Sequence, residues 1–401
     1  MPEIQYSISE LHNLFELELR GSMSLNENSD MHSIALENRD SILSNGNPVH
    51  NRLYKNMKLN TMLQHINEAS SDKSNRVIDE NSYKDIDYII DDGQISDPHE
   101  GSSYVFGRGH GECSILSPYK SHSKLDLYQP YFKPTGRISD FAVAHSVGTI
   151  GLKFNRNAQE DTSIAYIDKY GDKDLNCVTV IIDIGKNSSL NIKENFENKD
   201  GIKIYKIVYL VRDFASLKLT REHDVKFKDK GINVIETNVI QFPNSSFEYN
   251  VSGEGCKHSQ DLMYIDVHDN CNTQVNGRYD LYGDYINNSA VSIHHIGKNS
   301  KSRVDVKSIV DDSAHSSFLG SIIVDKNAID TDAELYNKNL LVSNKAVAIT
   351  EPQLDINTKE IACKHGCTIS NLDKQQLYYL NSKGIENNIA EETLKQCFLT
   401  Q

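Results

Sequence analysis

The feature that most constrains the fold is a long series of short β-branched segments that begins near residue 125. Runs such as "VTVIIDIGKNSSLNI" and "INVIETNVIQFPNSSFEYNV" alternate with residues typical of turns, and helical periodicity is absent until the C-terminus. Similar turn-rich motifs start at Gly185, Asn244, Asn287, Gly297 and Ser343. The apolar runs between them are too short for strand-helix-strand units, so the pattern predicts stacked short strands.

Two architectures fit such a series, a β-sandwich and a parallel β-helix. Two-residue hairpin signals are not obvious in it, which favours the parallel β-helix, a solenoid. Apolar residues at helical spacing in "ISELHNLFELELRGSM" and "NRLYKNMKLNTMLQHI" predict a helical N-terminal region. We therefore expect a mainly β protein with a helical and linker region at 1–105, a β-helix core at 106–350, and a strand end with a helical hairpin at 351–401.

Charge and cysteine usage narrow the class of protein. The chain has 401 residues and a formal net charge of -14, which argues against phosphate backbones and anionic membranes as partners. No apolar run approaches the roughly 20 residues that cross a bilayer, and the N-terminus lacks the basic start of a signal peptide. The seven cysteines are scattered and odd in number, which is typical of reduced thiols. These features predict a soluble, cytoplasmic protein.

One short motif contains the residue types of a metal site. Cys363, His365 and Cys367 lie within five positions, and a strand would place all three side chains on one face. Thiolate sulfur and imidazole nitrogen suit a soft or borderline metal, but closed zinc sites use four ligands. The alternative is that both cysteines fill an apolar solenoid interior.

Three other motifs carry weaker signals. His294 and His295 stand beside basic and hydroxyl residues, but no phosphate-loop pattern accompanies them, and we expect them to be exposed at a turn. The glycine-rich segment "SDPHEGSSYVFGRGHGE" has the character of a linker. The pair Asp311 and Asp312 allows a second interpretation, a β-helical carbohydrate-active enzyme.

The C-terminal part changes to a helical pattern. Asp373 is a suitable N-cap for a helix through "KQQLYYLNSK", and Gly384 is suited to end it in the left-handed conformation. A second helix carries an apolar stripe, which consists of Ile389, Ala390, Thr393, Leu394, Cys397 and Phe398. This hairpin either caps the solenoid or provides a docking surface for another subunit.

The C-terminal sequence resembles a known family. The segment "NLLVSNKAVAITEPQLDI", followed by "ACKHGCT" and "LDKQQLYYLNSKGI", is similar to the C-terminal signature of the SufB/SufD family of iron-sulfur cluster assembly proteins. That family folds as a right-handed parallel β-helix flanked by helical regions. SufB members have a cysteine where this chain has Asn337 and a His-Glu pair where it has His365 and Gly366, so both positions resemble SufD.

The resemblance implies a non-catalytic scaffold that pairs with SufB and binds the ABC-type ATPase SufC. It implies no stably bound cofactor, but a transient iron or iron-sulfur cluster at the SufB interface. His365 is then the candidate ligand or proton-handling group, with Cys363 and the more weakly supported Cys367 beside it. The candidate SufC-docking residues are Leu377, Tyr378, Leu380, Ile389, Leu394 and Phe398. Because the sequence ends at Gln401, we expect a reduced docking surface; a SufB-like cluster carrier is the alternative within the family.

Overall fold

The computed structural model describes residues 86–91, 94–96, 112–114, 131, 149–167, 175–196, 202–223, 232–254 and 257–400. The predicted N-terminal helices and the glycine-rich segment lie outside these residues. The strands are β1 (Tyr88–Asp91), β2 (Gln94–Ser96), β3 (Glu112–Ser114), β4 (Thr149–Phe154), β5 (Gln159–Ile167), β6 (Leu175–Ile184), β7 (Ser189–Phe196), β8 (Ile202–Val211), β9 (Ser216–His223), β10 (Ile232–Gln241), β11 (Ser246–Gly253), β12 (His258–Val267), β13 (Asn272–Leu281), β14 (Ile286–His295), β15 (Lys301–Val310), β16 (His315–Val324), β17 (Thr331–Leu341), β18 (Val347–Ile356) and β19 (Ile361–Asn371). Two helices follow, α1 (Lys374–Ser382) and α2 (Asn387–Thr400).

The strands form two sheets that the chain visits in turn. From β5 onwards the odd-numbered strands lie side by side in a ten-stranded sheet, and from β4 onwards the even-numbered strands lie in a nine-stranded sheet. From β4 onwards, successive strands of one sheet are parallel, and the paired residue lies 26 to 32 positions further along, as in Ile232 with His258 and His315 with Val347. The predicted parallel β-helix is therefore confirmed, and the β-sandwich is wrong.

The core lies between the two sheets. Strand side chains alternate between the two faces, and β7 shows this directly, since buried and more exposed positions alternate along it. In β15, Val304 and Val306 point inward and are at most 2% exposed. Equivalent positions of successive strands stack in columns. The inward apolar side chains of each turn therefore pack against those of the turn before it.

Asparagines shape one corner of the solenoid. Asn157, Asn187, Asn244, Asn270 and Asn299 lie in turns that lead from the nine-stranded to the ten-stranded sheet, and all have φ between 54° and 64°. Asparagine tolerates this left-handed conformation better than most residues. Their side chains also hydrogen-bond along the corner, as in Asn270 Nδ2 to Asn244 Oδ1 at 3.1 Å. The turn motifs at Gly185, Asn244 and Gly297 are thus explained. The motif at Ser343 lies in the turn from β17 to β18, and Asn287 is a buried residue of β14.

The C-terminal helical hairpin follows the last strand. Asp373 caps α1 by accepting hydrogen bonds from Gln375 N and Gln376 N, and Gly384 has φ 86°, as the sequence predicted. Helix α2 packs on the ten-stranded sheet, where Ala390 is fully buried. Neither described helix is long and apolar enough to cross a membrane.

Candidate functional site at the open end of the solenoid

The motif of two cysteines and a histidine lies on the last strand of the solenoid. In the parallel pairing of β17 with β19, Cys363 is opposite Ala333 and His365 is opposite Leu335. Ala333 and Leu335 are fully buried and point into the core. Because register preserves the face, Cys363, His365 and Cys367 share the inward face of β19, as their spacing predicted.

The strand that carries this inward face lies at the end of the stack of solenoid turns. β19 is the outermost strand of the ten-stranded sheet, β18 that of the nine-stranded sheet, and no further described strand pairs with either. Inward positions are therefore only partly covered: Ile356 is 39% and Ile369 46% exposed. We call Leu354, Ile356, Cys363, His365, Cys367 and Ile369 the open end. It combines an apolar surface with two unpaired strand edges, which are common sites of strand addition.

The two thiols and the imidazole differ in their surroundings. Cys363 and Cys367 are half-buried and pack against the core, whereas His365 is exposed. Burial raises the pKa of the Cys363 thiol, and the charge of Asp332 raises it further, so this sulfur stays protonated near neutral pH. Among the described residues, no group of three or more His, Cys, Asp or Glu side chains is placed to hold a metal. The described side chains at the open end therefore do not form a complete metal site by themselves.

The two positions that resemble SufD lie beside His365. Asn337 is paired in register with Cys367, is fully buried, and donates from Nδ2 to Val306 O at 3.2 Å. Gly366 faces the ring of Tyr336, and a Cβ built there would lie 3.1 Å from Tyr336 Cδ1. A larger residue than glycine at this position requires Tyr336 to move.

The candidate docking residues of the hairpin divide by exposure. Tyr378 is 76% and Ile389 54% exposed, whereas Leu377, Leu380, Leu394 and Phe398 are half-buried. The predicted stripe of α2 is therefore divided. Its buried side holds the helix in place, and Ile389 is the one large apolar residue of the stripe that is exposed and available for docking.

Two basic residues hold the C-terminal end of α2 against the sheet. Arg278 Nε donates to Leu399 O at 3.0 Å, and Lys307 Nζ donates to Phe398 O at 3.2 Å. Cations at the carbonyl end of a helix oppose the negative end of its dipole. Lys395 of α2 also pairs with Asp311 at 3.0 Å. Asp311 therefore has a structural partner, and Asp312 likewise accepts a hydrogen bond from Gly283 N at 3.0 Å.

The histidine pair is not exposed as expected. His295 is fully buried and hydrogen-bonds Ser300 Oγ and Ser302 Oγ, both at 2.8 Å. Its burial lowers the pKa to about 4. His294 faces outward between Asp266 and Asp325, whose hydrogen bonds and charges raise its pKa to about 9. The strand alternation, which turns adjacent residues to opposite faces, was the signal that could have separated the two.

A buried charge cluster was missed by the sequence reasoning. Arg221 is fully buried and donates to Glu194 Oε2 at 2.7 Å and to Asp261 Oδ1 at 2.9 Å. Tyr209 donates to the other oxygen of Glu194 at 2.7 Å. These charges come from strands far apart in sequence, so only the register of the sheets reveals their contact.

Comparison with known proteins identifies the family. The model of the SufBD core domain, described as SUF system FeS cluster assembly, matches residues 168–398, which is more than half of the chain. The chain is 37% identical over 95 residues to the iron-sulfur cluster assembly protein SufD of Escherichia coli strain K12, covering 24% of this chain and 22% of that protein. It is 32% identical over 117 residues to SufD of Bacillus subtilis strain 168, covering 29% and 27% respectively. A SufBD family protein of Synechocystis is 38% identical over 92 residues, covering 23% and 20%.

These alignments span about a fifth to a quarter of the curated relatives' length. The family match, by contrast, extends over most of the solenoid and both C-terminal helices. On this evidence the chain belongs to the SufB/SufD family of the SUF system for iron-sulfur cluster assembly.

Proposed function

We propose that this chain is a SufD-like scaffold subunit. In this role it pairs with a SufB-like subunit and binds a SufC-like ABC ATPase in the cytoplasm, and it performs no catalysis of its own. Iron or a nascent iron-sulfur cluster is the cargo, held transiently between the two scaffold subunits. We also propose that this chain has the right-handed winding of the family's β-helix and the family's N-terminal helical region.

The observation that carries the proposal is the position of His365. It is an exposed imidazole on an edge strand, flanked by two half-buried thiols, at an apolar end that no further described strand covers. The side chains here are an incomplete ligand set for a metal. A partner that covers the open end would add its own ligands to His365 and would exclude water from the cargo.

Two neighbours of His365 favour the SufD assignment over SufB. Asn337, at the position of the SufB cysteine, is a buried amide whose hydrogen bonds to Val306 O and from Asn339 Nδ2 are structural. Gly366 replaces the SufB glutamate where Tyr336 leaves little space. Neither position offers a thiolate or carboxylate to a cluster.

The helical hairpin is the proposed ATPase contact. Tyr378 and Tyr379 on α1 and Ile389 on α2 are its large exposed apolar residues, and aromatic residues are enriched in protein interfaces. Since α2 is attached to β13 and β15 through Arg278 and Lys307, a displacement of the hairpin is transmitted to the stacked strands. ATP-driven dimerisation of the ATPase would in this way open or close the interface at His365.

Co-purification tests this function. The chain is expressed with the SufB-like and SufC-like proteins of the same organism, isolated through a tag on this chain, and the mass of the complex is measured. The proposal expects one assembly that contains both partners. A chain that is isolated alone argues against the scaffold role, and stable binding of iron and sulfide by the single chain indicates a SufB-like carrier instead.

A further inference from the structure

One residue breaks the row of left-handed asparagines at the corner between the two sheets. Of the eight non-glycine residues with positive φ in the described part of the chain, seven are Asn or Asp. The eighth is Phe214, which has φ 59° and lies in the turn from β8 to β9. A bulky side chain is rare in this conformation, because its Cβ crowds the following carbonyl oxygen. The chain therefore carries strain at Phe214 that an asparagine would largely avoid.

The fold gives Phe214 little in return for this strain. The residue is 56% exposed, so its ring adds little to the core. It also interrupts the hydrogen bonds along the corner, where Asn187 Nδ2 donates to Asn157 Oδ1 at 3.3 Å and Asn270 Nδ2 donates to Asn244 Oδ1 at 3.1 Å. A phenyl ring cannot link Asn187 to Asn244. Strained residues are concentrated at sites that contact ligands, so these features indicate a role in binding.

The ring of Phe214 is held from one side. Lys186 Nζ lies 5.4 Å from the centre of the ring, and the same ammonium is paired with Asp213 at 3.6 Å. A cation at this distance attracts an aromatic ring. An aromatic side chain that is already oriented loses less conformational entropy when it binds. Aromatic residues are also enriched at the centres of protein interfaces.

The charges beside Phe214 select the kind of partner. In three successive turns, the residue before the left-handed position is Arg156, Lys186 and Asp213. The two basic side chains are exposed, so these positions carry one positive charge in excess. The whole chain has a net charge of -14, and a positive surface within it favours a segment that carries a carboxylate.

We propose that Phe214 anchors a partner protein through a segment that places an aliphatic side chain beside a carboxylate. The aliphatic group packs on the exposed part of the ring, and the carboxylate pairs with Lys186. Asn187 and Asn244, which the ring separates, hydrogen-bond with the main chain of the segment. This docking surface lies several turns away from the open end, and its binding chemistry does not depend on the proposed SUF function.

A titration of the full chain tests this inference. The probe is the capped tripeptide N-acetyl-Glu-Leu-Glu-N-methylamide, and saturation-transfer NMR of its leucine methyl groups measures the dissociation constant. We expect saturable binding to the wild type, and binding weaker by about fivefold or more in Phe214→Asn and in Lys186→Met. The probe with lysine in place of both glutamates should lose as much affinity for the wild type.

Phe214→Asn also tests the strain directly. Asparagine suits φ 59° and can link Asn187 to Asn244, so we expect this variant to unfold at a higher temperature than the wild type. A lower unfolding temperature would show that the ring supports the fold, and the inference would then be overturned.

Ile329→Asn and Lys298→Met are the matched controls. Ile329 is 36% exposed in the turn before β17, and Lys298 is exposed in the turn before β15, both at the same corner as Phe214. Both variants should bind the probe as the wild type does. Three results overturn the inference, whatever the co-purification shows: no saturable binding to the wild type, unchanged affinity in Phe214→Asn, or an equal loss in the control variants.

Discussion

At the scale of single residues, His365 differs from the side chains stacked beneath it. Val275, Val304 and Leu335 occupy the same column of the ten-stranded sheet and are all buried. An imidazole at the top of an apolar column gains little from packing, because it is exposed there. Its replacement should therefore separate a chemical role from a structural one.

His365→Ala should change the free energy of unfolding by less than about 0.5 kcal/mol, as expected for an exposed site. In the reconstituted complex, we expect it to lower the yield of assembled cluster about tenfold, the size of loss seen when a metal's surroundings are altered. Thr368→Ala is the control, since Thr368 lies on the opposite face of the same strand. Equal cluster yields from the two variants would exclude the role of His365.

Arg221 is held by two carboxylates in the core. Arg221→Leu leaves Glu194 and Asp261 buried without their cation, and should lower the free energy of unfolding by about 3–5 kcal/mol in urea titrations. Arg303→Leu, at a 60% exposed side chain paired with Glu334, should cost no more than about 1 kcal/mol. Similar losses in the two variants would show that the buried cluster contributes no more than a surface pair.

The histidine pair should give stability two opposite dependences on pH. The pKa of His294 is raised to about 9, so its contribution is complete below the ordinary value of about 6.5 and is lost as the pH rises to 9. The pKa of His295 is lowered to about 4, so the folded state resists protonation and stability falls between pH 6.5 and 4.

His294→Gln should thus be less stable than the wild type at pH 6 by about 1–2 kcal/mol, after allowance for solvent screening, and the difference should vanish near pH 9.5. Thermal unfolding at a series of pH values measures it. Exposed Gln274→Ala serves as a control without a titrating group. A difference that grows towards pH 9.5 would contradict the two aspartate contacts.

At the scale of elements, local sequence signals predicted where a helix or turn begins and ends better than they predicted which elements contact one another. The N-cap Asp373 and the left-handed Gly384 act within a few residues, so the bounds of α1 were readable from sequence. The left-handed asparagines likewise mark turns locally, whereas Asn287 was misread because an Asn-Ser motif also fits a buried strand. The contacts of α2 with Arg278 and Lys307 span about a hundred residues and follow only from the stacking.

Lys307→Met should loosen α2 without disturbing the sheet. Lys307 is 1% exposed, and its ammonium is held by the carbonyls of Phe398 and Leu399. Loss of a partly buried cation at a helix end costs about 1–2 kcal/mol, which corresponds to roughly 5- to 30-fold faster amide exchange in α2. Lys338→Met, at an exposed position on the adjacent strand, is the control. Faster exchange in β15 as well would indicate general unfolding instead.

At the scale of the whole molecule, the open end and the hairpin are separate surfaces. Ile369→Asp places a charge on the open end, and Ile389→Asp places one on α2; both side chains are about half exposed. We expect the first to weaken retention of the SufB-like subunit and the second that of the ATPase, each at least tenfold in the co-purified complex. Each variant controls for the other. Loss of the same partner from both would contradict two independent contacts.

The sequence could predict which way the side chains of a strand point, but not which strands lie side by side in the whole molecule. Inward and outward positions of β19 follow from alternation, so the shared face of Cys363, His365 and Cys367 was predictable. The irregular spacing of 26 to 32 residues between paired strands hides the repeat, which is why the contacts of Arg221 were not foreseen. Such contacts depend on which strands are neighbours, and that is a property of the assembled stack.

The open end also has a consequence for the life of the chain before assembly. Among the described turns the last is covered from one side only, so local opening should cost less there than in the turns beneath it, and Ile356 and Ile369 are exposed. A partner that covers this turn raises the cost of opening it. For the proposed scaffold role, this means that partner-bound copies should resist proteolysis and aggregation better than unbound copies, so that the supply of this subunit would follow that of its partner.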